Sequence, residues 1–382
     1  MKALIITIDK YPHRGGKSTH IFNLVSGLKE YNVECDVFSG NYIPQIQYKL
    51  LKSIIYFTKF ISKKYYLFYR KRIELFLFKK QLKKFVKNKE YNFISFQDAI
   101  TCGSCGYLFK KNFLTMHTYF GIEYTLDNSG FSLDDKYYKK LLSLEENSLK
   151  YVDSVICVDE RIKTHVIETV NKYNMALPIY SVCNFTNTNI FKPVNKSINN
   201  KSKIVIGCVR RLVEKNGVIY SAMAMKYLKN YNCVLKIYGD GPCMQDIIQY
   251  VEKEKLSKNV ILCGGVDNDK MAEVYKDIDI IIVPSITVNG LQEATSISAI
   301  ESMACGIPTI ASNIGGLPLL IKNNENGILV TEKNPKEIAN AIIKLINDKK
   351  LYNKISKGSR EYILDNNSHL KAAKEYLNIF KI

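Results

Sequence analysis

Residues 278–312 read IDIIIVPSITVNGLQEATSISAIESMACGIPTIAS. The β-branched run Ile278–Val283 stops at Pro284-Ser285, the pattern of a strand buried on both faces. After the loop Ile286 to Gln292, Glu293 to Glu301 reads as the start of a helix that Thr295 or Ser296 can cap. Met303 to Pro308 then leads into a second strand, Pro308–Ala311. Strand, helix and strand in that order are the unit of a parallel sheet covered by helices. The capped helix start, with its backbone N–H groups and dipole, favours a phosphate near Thr295, Ser296 and Ile297. If Glu293 and Glu301 were both helical they would stand about 12 Å apart along the axis. A retaining-glycosidase carboxylate pair needs roughly 5 Å, so two separate roles are implied.

The same alternation runs outward over the whole chain. The second half offers Ile204–Val209, Val234–Tyr238, Val260–Cys263 and Ile328–Val330 as further strands. The first half offers Ala3–Ile8, Cys35–Ser39, Phe93–Gln97, Phe113–His117, Ser154–Val158 and Ile179–Val182. Between them, Asn184 to Asn200 is rich in Asn and Thr and carries Pro193, a composition suited to a linker. The boundary is expected near residue 196. From Lys350 onward the pattern is helical, with apolar positions at Ile355, Tyr362, Ile363, Leu370, Tyr376, Leu377 and Ile379. The expected fold is α/β: two facing Rossmann-like, doubly wound domains with a ligand cleft at the carboxyl ends of their strands.

At 382 residues, with 46% hydrophobic and 24% charged residues, the chain has the composition of two globular domains and not of a disordered or disulfide-stapled protein. No apolar stretch approaches the ~20 residues of a spanning helix. The scattered cysteines and the opening strand in place of a signal peptide suit a cytoplasmic protein with reduced thiols. The net charge of +19 is uneven: positions 41–90 hold fourteen Lys or Arg residues against Glu74 and Glu90 alone.

Several strand ends carry groups suited to an anion. Arg14 to His20 (RGGKSTH) places Gly15 and Gly16 before a helix, where backbone amides can approach a phosphate. A P-loop hydrolase is the alternative there, but its first glycine would fall at Tyr11. Val209 to Gly217 (VRRLVEKNG) sets Arg210, Arg211 and Lys215 in one turn, as a diphosphate would require. Gly239 to Pro242 (GDGP) and Cys263 to Asp267 end two more strands in glycine turns, clearing backbone space for a ligand. Ser312 to Pro318 opens another Gly-rich helix start. Together these point to one polyanionic ligand, most simply a nucleoside diphosphate. His117 closes a strand as a candidate site residue, and His20 is a structural or acceptor-side residue. Cys102-Gly103-Ser104-Cys105 has no second Cys pair of matching spacing for zinc.

The order of these motifs resembles glycosyltransferase family 4 nearly end to end. The resemblance rests on Gly15-Gly16, VCNFTNTNIFKP (Val182 to Pro193), the Arg/Lys turn, Gly239 to Pro242 and above all Glu293 to Glu301 within P-S…E-x7-E-x-M-A-x-G-x-P. It implies a retaining enzyme of the GT-B type: an acceptor-binding domain over 1–195, a nucleotide-sugar-binding domain over 196–360, and a helix over 361–382 that crosses back. It also implies Glu293 against the donor sugar and phosphates, Glu301 on the ribose and Arg211 and Lys215 on the diphosphate. Gly16 would lie beside the β-phosphate, His117 near the transferred sugar, and Val266, Asp267 and Asn268 beside the base. Three departures stand out. Arg210 replaces the family's Gly before the Arg, with Lys215 four residues after Arg211 where five is commoner. Ala294-Thr295 replaces Gly-Phe, and Asp159 replaces a Ser. Which Arg takes the phosphate therefore stays open.

The expected reaction is front-face transfer of a sugar from a nucleoside-diphosphate sugar to an acceptor hydroxyl, with retention and without a metal or other cofactor. The basic segment 45–89 mixes Lys and Arg with Tyr65, Tyr66, Leu67, Phe68 and Tyr69. This suits an anionic membrane surface, a peripheral place on the inner face of the cell membrane, and a lipid-linked or other glycan acceptor in envelope synthesis. A non-catalytic module holding nucleic acid or membrane is the rival from another class, but no recognised nucleic-acid motif accompanies these residues.

Overall fold

The computed structural model describes residues 1–13, 15–121, 131–193, 203–290 and 292–381. Its chain divides into two compact units, Met1–Cys183 with Ala373–Ile382, and Asn184–Ala372. Each is built on a six-stranded, wholly parallel sheet.

In the first unit the strands are β1 (Lys2–Ile6), β2 (Glu34–Phe38), β3 (Phe93–Phe96), β4 (Asn112–Met116), β5 (Ser154–Cys157) and β6 (Ile179–Ser181). They lie in the order β2-β1-β3-β4-β5-β6. Strands β3, β4 and β5 are buried along their whole length, which is why they read as continuous apolar runs and not as alternating ones. The last helix, His369–Phe380, brings Phe380 to Phe93 and Phe113, at ring centroids of 4.3 and 4.2 Å.

The second unit has β7 (Ile204–Val209), β8 (Cys233–Tyr238), β9 (Val260–Gly264), β10 (Ile280–Val283), β11 (Thr309–Ser312) and β12 (Ile328–Val330). Their order is β12-β11-β10-β7-β8-β9, so the winding reverses between β7 and β10. In open parallel sheets such a reversal parts the loops at the strands' carboxyl ends and leaves a crevice for a ligand. The Arg/Lys turn follows β7 and the Glu293 segment follows β10. Both lie at the reversal.

Two expectations need correction. The stretch from Asn184 reads as linker, yet its first part is a packed element of the second unit. Phe185 and Phe191 are buried, Thr186 bridges to Ser368, and Arg360 donates to the carbonyl oxygens of Thr188 and Phe191. Its Asn184 side chain donates to the Thr295 carbonyl and its Asn187 side chain accepts from the Asn189 and Ile190 N–H groups, a use that composition does not distinguish from solvation. The expected boundary near residue 196 lies outside the described residues. The second correction concerns the basic segment. Helix Lys63–Phe85 buries Tyr66, Phe68, Leu75, Leu77, Phe78 and Leu82 in the core of the first unit, so much of its aromatic content is structural. The earlier helix Gln45–Tyr56, by contrast, has no buried residue.

Candidate functional site

Arg210 leaves β7 and meets Glu293. One guanidinium nitrogen, Nη2, lies 2.7 Å from Glu293 Oε2 and donates to Asn216 Oδ1 at 2.8 Å, while Nη1 donates to Ser296 Oγ at 3.1 Å. Ser285, just past β10, donates to the same carboxylate oxygen at 3.4 Å. Asn216 in turn donates to the Arg211 carbonyl at 2.7 Å, tying the turn back on itself. Glycine makes this approach possible: Gly217 has φ +60°, and a Cβ there would stand 2.0 Å from the Pro284 carbonyl oxygen.

Burial pushes the Glu293 carboxyl up, but the Arg210 charge, then Lys215, and hydrogen bonds from Arg210 and Ser285 more than offset it. The group is held below its ordinary value. Lys215 therefore shares the electrostatic neighbourhood of Glu293, although its own side chain is exposed. Arg210 is the cation at Glu293 and stands five residues before Lys215, the commoner family spacing; Arg211 is exposed.

The helix after this loop runs Ile297–Ala304 with Ser296 as its cap, accepting from the Ala299 N–H. Thr295 is engaged elsewhere, its carbonyl and hydroxyl oxygens each accepting from Asn184 Nδ2 at 3.0 Å. Glu293 lies ahead of the cap, so the premise that both glutamates are helical fails. Glu301 sits inside the helix, buried, and accepts from Tyr275 Oη at 3.0 Å. Burial pushes its carboxyl up to about 8, and the Tyr275 hydrogen bond opposes this only in part.

Gly239 clears space, but for the protein's own backbone. With φ +149°, it would place a Cβ 1.9 Å from the Arg210 carbonyl oxygen. The GDGP turn is thus a buttress: the Arg210 N–H donates to the Tyr238 carbonyl and the Leu212 N–H to that of Asp240. Val266 packs beside the core of this unit, Asp267 is exposed, and Asn268 opens the short turn Asn268–Lys270.

In the first unit, Gly15 caps helix Gly16–Glu30 at φ +144°, and both glycines are exposed. Lys17 turns to Asp9, 2.9 Å away, an arrangement unlike a lysine reaching along a P-loop. His117 follows β4, half-buried, with Nε2 3.1 Å from Gln97 Oε1. Burial, then His20 and Lys17, push its imidazole well below the ordinary range, so it is neutral near pH 7. Cys102 and Cys105 are buried thiols, both pushed up by burial, the latter to about 11, as befits inert core residues.

Sequence reasoning missed Asn216, Ser285, Tyr275 and Gln97. Gly217 after Asn216, and Ser285 after the strand-ending proline, were the signals that could have found two of them. Tyr275 and Gln97 carried none that separates them from ordinary core positions.

The model for glycosyl transferases group 1 matches residues 190–362, and that for glycosyltransferase family 4 matches residues 14–183. An uncharacterized glycosyltransferase of Methanocaldococcus jannaschii is 26% identical over 368 residues, 95% of this chain and 93% of that protein. The Escherichia coli UDP-Gal:alpha-D-GlcNAc-diphosphoundecaprenol alpha-1,3-galactosyltransferase is 30% identical over 169 residues, 43% of this chain and 42% of that protein. Among solved structures, Anabaena HepE in complex with UDP and glucose superimposes with a TM-score of 0.69 at 15% identity, covering 99% of each chain. Two parallel-sheet α/β domains of this kind define the GT-B class of glycosyltransferases. The chain belongs to glycosyltransferase family 4, its two matched models together spanning most of its length.

Proposed function

We propose that the protein transfers a sugar from a nucleoside-diphosphate sugar to a hydroxyl of a lipid-linked or polysaccharide acceptor, with retention at the anomeric carbon. The observation that carries this reading is the Arg210–Glu293 pair beside Lys215 at the β7/β10 reversal. As the bond from the anomeric carbon to the β-phosphate oxygen breaks, negative charge grows on the phosphate. Lys215, with Arg210 or Arg211, is placed to stabilise it, a contribution of several kcal/mol in sites of this kind. These cations supply the charge that a divalent ion supplies elsewhere, so no metal is required. Glu293, held ionised, favours the positive charge developing on the sugar. The acceptor oxygen bonds to the anomeric carbon from the face the phosphate leaves, and its proton passes to the departing phosphate oxygen. Glu301 is assigned to the ribose, Gly15 and Gly16 to the β-phosphate, and Val266 to Asn268 to the base. Proton NMR of the fresh product tests the stereochemistry: the donor's anomeric configuration is expected, and the opposite anomer would refute front-face transfer.

A lipid-linked acceptor is favoured by an exposed ridge. Ile46, Leu50, Ile54, Phe57, Phe60 and Ile61 are 62–79% exposed. The first four fall within about 80° of one another on a helical wheel, opposite Tyr48 and Leu51, which pack on the core. Lys49 lies beside the ridge on the same wheel, and Lys59 and Lys63 lie close to it in sequence, so an anionic lipid surface, not a second protein, is the proposed occupant. Among the described residues no helix is long and apolar enough to cross a membrane. Ile54→Glu with Phe57→Glu should abolish sedimentation with phosphatidylglycerol vesicles at low salt while leaving nucleotide binding intact. Undiminished sedimentation would remove the ridge from the account.

A further inference from the structure

Five polar side chains connect His117 to the last helix. His117 Nε2 lies 3.1 Å from Gln97 Oε1, and Gln97 Nε2 donates to Ser95 Oγ at 2.9 Å and to Thr115 Oγ1 at 3.4 Å. Thr115 Oγ1 lies 3.4 Å from Tyr376 Oη, which lies 3.1 Å from His20 Nε2. The His20 ring then returns to His117 edge-on, with centroids 4.6 Å apart. His20, Ser95, Gln97, Thr115 and Tyr376 are all at most 1% exposed.

We propose that Tyr376 is a positioning residue for His117, its hydroxyl ordering the chain of hydrogen bonds that decides which His117 nitrogen carries the proton. The inference rests on the reading above only in giving His117 a place beside the transferred sugar. Because the Gln97 amide nitrogen faces Ser95 and Thr115, its oxygen faces His117, and His117 Nε2 must donate. A continuous direction of donation is then available, from His117 to Gln97, Gln97 to Thr115, Thr115 to Tyr376 and Tyr376 to His20, in which Thr115, by donating to Tyr376, keeps its lone pairs turned to Gln97. His117 is left with its proton on Nε2 and a lone pair on Nδ1. Were His20 to donate to Tyr376 Oη instead, the Tyr376 proton would turn to Thr115 Oγ1, which would then accept from both Gln97 and Tyr376 and no longer donate onward.

Lys17 acts on His117 together with His20, while Cys157 and Glu375 act on Tyr376, whose own phenol is pushed up by burial and stays protonated. The hydrogen bonds named above run through side chains of the first unit alone.

Tyr376→Phe removes that oxygen and keeps the ring beside Phe380. With nitrogen-15 histidine labelling, wild-type His117 is expected as the single Nε2–H tautomer, neutral where an exposed histidine titrates, near pH 6–7. In Tyr376→Phe both tautomers of His117 should appear. Turnover should fall about tenfold, the loss expected for one hydrogen bond, at unchanged donor KM, with the acid limb of the kcat profile moved to higher pH. Phe380→Leu, which loosens the same helix without touching the hydroxyl, should lower the melting temperature and move neither nitrogen signals nor the limb. Thr115→Val cuts the chain one link away and should reproduce the tautomer change even if Tyr376→Phe does not fold. Unmoved His117 signals in these variants would overturn the proposal. The nitrogen signals decide it even if sugar transfer is not the reaction.

Discussion

Glu293 and Glu301 are nearly the same group in nearly the same place, one just ahead of a helix and one inside it, and both are shielded from water. Their charge states differ because their partners do. Glu293 faces Arg210 and Lys215 and is held ionised. Glu301 faces a phenol, which offers a hydrogen bond but no charge, and is pushed up to about 8. Burial sets the direction for both, and a cation reverses it for one. The helix entry is therefore a charged site prepared for a charged reaction, whereas the helix interior holds a neutral acid suited to hydrogen bonding with hydroxyls.

The largest expected effect comes from removing the charge that the entry maintains. Glu293→Gln should lower kcat by about 100- to 1,000-fold, the range seen when one preorganised electrostatic group is lost. Nucleotide affinity should stay within about twofold, because the cations remain. Equal loss of affinity and turnover would mean that Glu293 serves the fold and not the reaction.

A smaller effect sharpens the other half of the contrast. Glu301 binds its proton more tightly folded than unfolded, where its value is near 4.3. Its contribution to stability is thus fully present below about pH 4, and is lost as pH rises toward 8. Between pH 5 and 8 the wild-type melting temperature should fall by several degrees relative to Glu301→Gln, which cannot ionise. Parallel melting curves over that interval would show that Glu301 is already charged in the native protein.

Much of this was legible in the sequence. All twelve strands of the described residues lie within a residue or two of the β-branched runs, most simply β3, β4, β5, β10 and β11, which are buried along their whole length and leave no alternation to misread. The Glu293 and Lys215 segments were legible as chemistry because they punctuate strand ends. What escaped notice were polar residues turned inward. Asn184 and Thr186 read as linker but hold the second unit together, and Gln97, Thr115 and Tyr376 read as ordinary core positions. Choosing Arg210 over Arg211 at Glu293 required knowing which side chain leaves β7 inward. The basic segment misled in part, since a helix bearing many lysines still buried Phe68, Phe78 and Leu82.

The central claim is that the β7/β10 reversal of the second unit holds a nucleoside diphosphate by its charge. Thermal melting of the wild type and Lys215→Ala against UDP, GDP, ADP and their sugars tests it most directly. At least one nucleotide should raise the wild-type melting temperature progressively with concentration, and the variant should need about 100-fold more of it for the same rise. No shift with any of them, or identical curves for the two proteins, would contradict the account.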